Sequence, residues 1–224
     1  MTLSTRTQNW TREHRRYIPD GLIFDPTSQM FVGNPYHNQV GAYGVGWRDL
    51  VGQINTTRAA GATVPVYTQI GSTGFYFWKF DVDDFVQVTY HVDHDFYYGS
   101  EIFFHAHWFK DGTNVQPVKW QMSIAYAHGH AQDAYDFTSP TVATIQTVPQ
   151  TAAYTHEISE LAAGVDLSYR TDGLIHVQYK RITNGGTENT DGIYLMTADC
   201  HYQADKFATL NKSPDANGSF QTYP

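Results

Sequence analysis

The chain has 224 residues and a net charge of −8, which suits one large domain with extensions and removes the electrostatic attraction on which nucleic-acid binding depends. Its one cysteine, Cys200, excludes a disulfide within the chain and a cysteine-based zinc cage. No apolar run approaches the roughly 18 residues of a membrane span, and the first residues are too polar for a signal peptide, so we expect a protein made in a cytoplasm with no membrane or nucleic-acid partner.

Residues 1–46 are predicted to form an extended N-terminal arm. Isolated apolar residues alternate there with Pro, Gly, Asn and Asp, and no sustained period appears. Such arms become ordered when another surface supplies the burial that offsets their lost entropy. The residues expected to bind that surface combine a basic tip with an apolar stretch: Arg6, Arg12, Arg15, Arg16, Tyr17, Ile18 and Phe24.

Residues 47–205 are predicted to be an all-β domain, an antiparallel jelly-roll β-sandwich of about eight strands. The segment "EIFFHAHWF" (101–109) alternates Phe104 and Ala106 with His105 and His107, and the segments 85–93, 117–127, 173–183 and 192–205 alternate similarly. Turn sequences such as "KDGTN" and "TNGGTENTDG" join these segments, and βαβ spacing is absent. Residues 206–224 are predicted to be a polar C-terminal tail.

The polar faces of these strands are unusually rich in histidine and glutamine. A face turned to bulk water normally carries Lys, Glu and Thr, whereas uncharged His and Gln can donate and accept hydrogen bonds within a covered layer. With 15% aromatic and only 16% charged residues, the composition also favours a subunit that gains stability by assembling. The residues predicted to form a trimer or subunit interface are His105, His107, Gln121, His176, Gln178, His201 and Gln203.

The same histidines support a metal site as an alternative. Two histidines at positions i and i+2 of a strand point the same way and can reach one cation, and a neighbouring strand can add a third. The candidate ligands are His105, His107, His176 and His201. A cupin-type enzyme would also place a carboxylate a few residues after the pair, but Asp111 already lies in the following turn.

Enzymatic chemistry is otherwise poorly supported. The sequence contains no G-x-S-x-G nucleophile motif, no phosphate-binding loop and no dinucleotide fingerprint. We therefore predict a protein that is not an enzyme and needs no cofactor, and keep a metal-dependent jelly-roll enzyme as the second alternative.

Four motifs in order resemble a group of structural proteins of tailed bacteriophages. They are "GWRDLVG", "HDFYYGSEIFFHAHW", "VKWQMSIAYA" and "CHYQ", spread over about residues 44–205. Phe96 and Cys200 depart from the family pattern. The matching positions are Trp47, Asp49, Leu50, His94, Asp95, Gly99, Glu101, His105, His107, Trp108, Val118, Trp120, Tyr126, His201, Tyr202 and Gln203.

This resemblance implies a virion protein with a jelly-roll domain, of the capsid decoration (cement), head-fibre or tail-appendage type. From it we expect a homotrimer that binds the major capsid protein on the outer surface of the phage head and stabilises the shell. The first alternative is a tail or head-fibre component that binds a host-surface glycan through exposed aromatic residues such as Tyr97 and Tyr98.

Overall fold

The computed structural model describes residues 22–25, 30–33, 46–55 and 64–204. These residues form thirteen β-strands and no helix; consequently none of the described segments is a helix that could cross a membrane. The strands are β1 Leu22–Asp25, β2 Met30–Gly33, β3 Gly46–Val51, β4 Gln53–Asn55, β5 Val66–Gln69, β6 Tyr76–Phe80, β7 Phe85–His91, β8 Phe103–Lys110, β9 Val118–His128, β10 Thr141–Thr147, β11 Glu157–Glu160, β12 Gly173–Ile182 and β13 Ile193–Ala204.

Eleven of these strands build two antiparallel sheets. The five-stranded sheet has the order β10-β9-β12-β7-β4. The six-stranded sheet has the order β11-β8-β13-β6-β5, and β3 pairs with the part of β13 beyond β6. Strands that are adjacent in the chain therefore often lie in different sheets. Strands β8 and β13 are neighbours in the middle of the six-stranded sheet.

Strict alternation of side chains explains why these segments form half-buried strands. In β7, Val86, Val88 and Tyr90 are buried and the residues between them are more exposed. In β12, Ile175 and Val177 are fully buried in the same way. Because successive side chains of a strand point to opposite faces, each sheet presents one apolar face to the other.

The core lies between the two sheets and is dominated by aromatic rings. Trp108 of β8 and Trp120 of β9 are fully buried, with ring centroids 6.5 Å apart. Phe80 and Trp120 meet edge to face at 5.2 Å, so β6 and β9 also pack across the core. The predicted all-β sandwich is confirmed.

The arm and tail predictions fall largely outside the described residues. Arg6, Arg12, Arg15, Arg16, Tyr17 and Ile18 lie there, as does the tail from residue 206. Within the predicted arm, β1 and β2 pair as an antiparallel hairpin in which Phe24 is opposite Phe31. The aperiodic pattern of residues 1–46 did not predict this hairpin, because strands of four residues are too short to show a period.

Candidate functional site

The histidine pair of β8 lies on the outer face of the six-stranded sheet. Phe104, Ala106 and Trp108 are fully buried in the core, so His105 and His107 project from the opposite face, as the sequence predicts. His105 is nevertheless only 1% exposed. Its neighbours on β11 and β13 cover its ring, so His105 is shielded from solvent although it lies on an outer face of the sandwich.

An irregularity in β13 brings an acidic residue to the same face. Leu195 and Ala198 are both fully buried, although strict alternation would place them on opposite faces. The register shifts between Leu195 and Thr197, so an extra residue changes the parity of the strand. Beyond this point Asp199 and His201 point outward, and Asp199 is directly opposite His105.

Asp199 lies between the two histidines of β8. Its Oδ1 is 2.5 Å from His105 Nε2 and 2.8 Å from His107 Nε2. The oxygen and His107 Nε2 are nevertheless buried atoms without a well-directed hydrogen bond, as is His105 Nδ1. Two imidazole nitrogens thus share one buried carboxylate oxygen, whose charge a proton on one ring or a bound cation can balance.

Further polar side chains lie behind the two imidazoles, and one of them is hydrogen-bonded to His107. His107 Nδ1 and His156 Nε2 are hydrogen-bonded at 2.7 Å. His105 Nδ1 faces Glu160 Oε2 at 3.8 Å, and that carboxylate also contacts His201 Nδ1 at 2.8 Å. Outer groups of this kind fix the tautomer and the ring orientation of a histidine.

The local electrostatics favour a cation beside Asp199. Burial alone would lower the pKa of His105, but its contact with the Asp199 carboxylate outweighs burial and the pKa is raised. Burial lowers the pKa of His107 more than Asp199 raises it. Burial would raise the pKa of Asp199, yet the two imidazoles hold it below its usual value. A proton on His105 or a metal ion would supply the positive charge that this carboxylate requires.

Two sets of side chains here could hold a metal ion, and they share His105. One consists of His105, His107 and Asp199, and the other of His105, Glu160 and His201, with ligand atoms within 4.8 Å of one another in each set. The first uses Nε2 of His105 and the second uses Nδ1. A neutral imidazole has one free lone pair, so the two sets exclude each other.

The structure corrects the proposed metal ligand set. His176 lies on β12 of the five-stranded sheet, whereas His105, His107 and His201 lie in the six-stranded sheet. His176 cannot join them because the core separates the two sheets. Sequence reasoning also missed Asp199, His156 and Glu160. The one signal in the sequence was the position of Asp199 in "ADCHY", two residues before His201 and therefore on the same face of the strand.

The predicted single His/Gln interface divides in the same way. Gln121, His176 and Gln178 belong to the five-stranded sheet, while the remaining members belong to the six-stranded sheet. The two groups lie on opposite outer faces, so one flat interface cannot contain both. Alternation predicts which residues of a strand share a face, but not which sheet the strand joins.

The outer face of the five-stranded sheet is rich in amides. One row crosses all five strands in register and contains Val142, Ser123, Gln178, Gln87 and Asn55. We call the four glutamines Gln53, Gln87, Gln121 and Gln178, together with His176, the amide face. Of its members, Gln53 and Gln87 are exposed and the others are half-buried.

A further group of histidines surrounds Asp172 at a loop. His91 Nε2 is 3.0 Å and His94 Nε2 is 4.0 Å from Asp172 Oδ1, and His130 Nε2 contacts Oδ2. The side chains are partly exposed, and their ligand atoms do not converge as closely as those around Asp199.

Residues of the four sequence motifs contact one another. Asp95 pairs with Arg48 at 2.6 Å and accepts a hydrogen bond from the Tyr202 hydroxyl at 2.9 Å, which joins three of the motifs. Cys200 is fully buried, and burial raises the pKa of its thiol, as expected for a packing residue rather than a nucleophile.

Comparison with protein-family models, with curated proteins and with solved structures finds no match for this chain. The function must therefore be argued from the residues and their geometry.

Proposed function

We propose that this chain is a bacteriophage virion structural protein, a trimeric decoration protein on the outer surface of the head. The phage assignment rests on the sequence motifs, and the structural observation that supports an assembling subunit is the amide face. The row that contains Gln178 and Gln87, from Val142 to Asn55, has no charged residue across five strands, and Lys180, which lies opposite Gln121, pairs with Asp83. A surface that remains in water normally carries charges, whereas the centre of a subunit interface is depleted of them.

Aromatic residues support a covered surface beside this row. Tyr135 and Phe137 stack at 5.0 Å, and Tyr135 lies 5.0 Å from the His176 ring. Phe137 is 65% exposed in the single chain. Large exposed aromatic groups next to neutral amides are typical of subunit contacts.

The strand order supports the jelly-roll part of the proposal. Strands β6, β13, β8 and β11 are neighbours in one sheet and face β7, β12, β9 and β10 in the other. Two four-stranded sheets from eight consecutive strands are the architecture of jelly rolls, which occur in viral capsid proteins, lectins and cupins. Fold alone does not choose among these functions.

Introducing a charge into the amide face tests the assembly role. In the trimer, Gln178→Lys would bury an ammonium group without a partner, so we expect the variant to be monomeric while keeping the wild-type circular dichroism spectrum. Gln150→Lys on the exposed loop before β11 is the matched control and should remain trimeric. Light scattering coupled to size-exclusion chromatography measures both. A trimeric Gln178→Lys variant, or a monomeric wild-type protein, would contradict the proposal.

A second candidate function is binding of a host-surface glycan as a tail or head-fibre component. Tyr97 and Tyr98 are 40% and 62% exposed, and the Arg170 guanidinium lies 6.0 Å from the Tyr98 ring. Exposed aromatic faces of this kind can stack on sugar rings. The position and copy number in the virion distinguish the two roles, because a decoration protein covers the head and a fibre component is confined to a few sites.

A further inference from the structure

We propose that His105, His107 and Asp199 bind one divalent transition-metal ion, with Zn²⁺ as the best fit. This site is independent of the proposed virion role. Two imidazole nitrogens and one carboxylate oxygen suit Zn²⁺ and its first-row neighbours, whereas Mg²⁺ and Ca²⁺ prefer sites made of oxygen ligands.

The first argument is the convergence of the three ligand atoms. Nε2 of both histidines approaches the same oxygen, Asp199 Oδ1, at 2.5 and 2.8 Å. A tetrahedral ion with bonds of about 2.0–2.1 Å separates its ligand atoms by about 3.3 Å. These two contacts are shorter than that by less than about 1 Å, so metal binding requires the Asp199 carboxylate to withdraw slightly from both nitrogens.

The second argument is that these atoms lack other partners. His107 Nε2 and Asp199 Oδ1 are buried without a directed hydrogen bond, and His105 as a whole is 1% exposed. Among the described residues, the ionic contacts of Asp199 are with these two histidines, and no lysine or arginine pairs with it. An ion between the three atoms would satisfy all of them at once.

The third argument is that an outer group can hold the proton of His107 on the correct nitrogen. Coordination through Nε2 requires each imidazole to carry its proton on Nδ1. His107 Nδ1 can then donate to His156 Nε2 at 2.7 Å, and His105 Nδ1 faces the Glu160 carboxylate at 3.8 Å. Metal-binding histidines are usually supported in this way.

Burial favours this set over the one formed by His105, Glu160 and His201. The side chains of Glu160 and His201 are 42% and 38% exposed, compared with 12% for Asp199 and 15% for His107. In the proposed site, Glu160 therefore does not bind the ion, and its carboxylate lies 3.8 Å from His105 Nδ1.

Metal analysis of the tag-free, full-length protein tests the proposal. The protein is stripped with a chelator, dialysed into buffer and titrated with Zn²⁺ by calorimetry, and the reloaded sample is analysed by mass spectrometry. We expect one Zn²⁺ per chain and a higher Tm, because the ion links β8 to β13 only when the protein is folded and so stabilises the folded state. Mg²⁺ and Ca²⁺ should leave the Tm unchanged. Substoichiometric Zn²⁺ with no Tm shift would overturn the proposal.

Variants identify the ligands. Asp199→Asn and His107→Ala should each lose stoichiometric binding, and the half-buried position of His107 makes the second variant a safe test if the first misfolds. His156→Ala should weaken binding by about 10–100-fold, the usual cost of losing a supporting group. His201→Ala and His176→Ala are the controls and should bind as the wild type does. Loss of binding in His201→Ala with retention in His107→Ala would overturn the assignment of ligands.

Discussion

Histidine side chains occupy three distinct environments in this protein, and their neighbours determine what each can do. His105 is buried against a carboxylate, which favours a positive charge beside it. His91 is partly exposed near Asp172. His176 has no carboxylate among its described contacts: Thr89 Oγ1 lies 3.0 Å from its Nδ1, and the rings of Tyr135 and Phe137 are nearby. One residue type can therefore serve as a ligand, a local contact or a neutral packing group.

His176 is expected to reduce stability at acidic pH. Burial lowers its pKa below the ordinary value of 6.5. Below this pH the imidazole is therefore protonated more readily in the unfolded chain than in the folded chain, which stabilises the unfolded state. This loss of folding stability is absent above pH 6.5 and grows as the pH falls towards the pKa of His176 in the folded state. The Tm of the His176→Gln variant should therefore fall less than that of the wild type between about pH 7.5 and about pH 5.

Thermal unfolding followed by circular dichroism across this range measures the difference. Thr89→Val is the control, because it removes the hydrogen bond to His176 but leaves the imidazole buried, and its pH dependence should match the wild type. Identical Tm curves for wild type and His176→Gln would refute this assignment.

At the level of single elements, one feature positions the candidate site and another connects the two sheets. The irregularity in β13 changes the strand's parity and turns Asp199 towards the β8 histidines. At the end of β12, Arg181 reaches across the sandwich: its Nη1 donates to the Phe80 carbonyl of β6 at 2.8 Å, and its Nη2 donates to the Asn189 carbonyl at 2.9 Å. Arg181 is 4% exposed, so these bonds form away from solvent.

Replacement of Arg181 is expected to weaken this connection. A lysine ammonium is a point donor and cannot reproduce the planar fork that reaches both carbonyls. Arg181→Lys should therefore reduce the free energy of unfolding by about 2–4 kcal/mol, because buried groups lose charged hydrogen bonds. Lys180→Arg, at the adjacent pair with the exposed Asp83, should change it by less than about 0.5 kcal/mol. Urea unfolding measures both, and equal effects of the two substitutions would show that Arg181 does not connect the sheets.

At the scale of the whole molecule, charge is distributed unevenly along the chain. The chain carries a net charge of −8, yet its first 16 residues include Arg6, Arg12, Arg15 and Arg16. An arm with this composition suits an acidic partner surface, and the two outer faces of the sandwich provide separate surfaces for other contacts. Attachment and trimer formation would then use different parts of the chain.

Deletion of residues 2–20 tests this separation. The shortened protein should form trimers but fail to bind undecorated phage heads, because the basic tip and its apolar neighbours are removed. Deletion of residues 206–224, a segment of equal length, is the control and should leave binding intact. Co-sedimentation with heads measures binding, and unchanged binding by the arm deletion would rule out the arm as the attachment site.

The sequence by itself determined the all-β class, the long alternating strands β7, β8, β9, β12 and β13, and the two histidines of β8 that share a face, because alternation of side chains along a strand is a local property. It also indicated that His105 and His107 could act together. Only the tertiary structure decided that His176 lies in the opposite sheet and that Asp199 completes the group. Sheet membership depends on pairing between distant segments, and the parity change in β13 depends on its register with β8; neither leaves a periodic signal in the sequence.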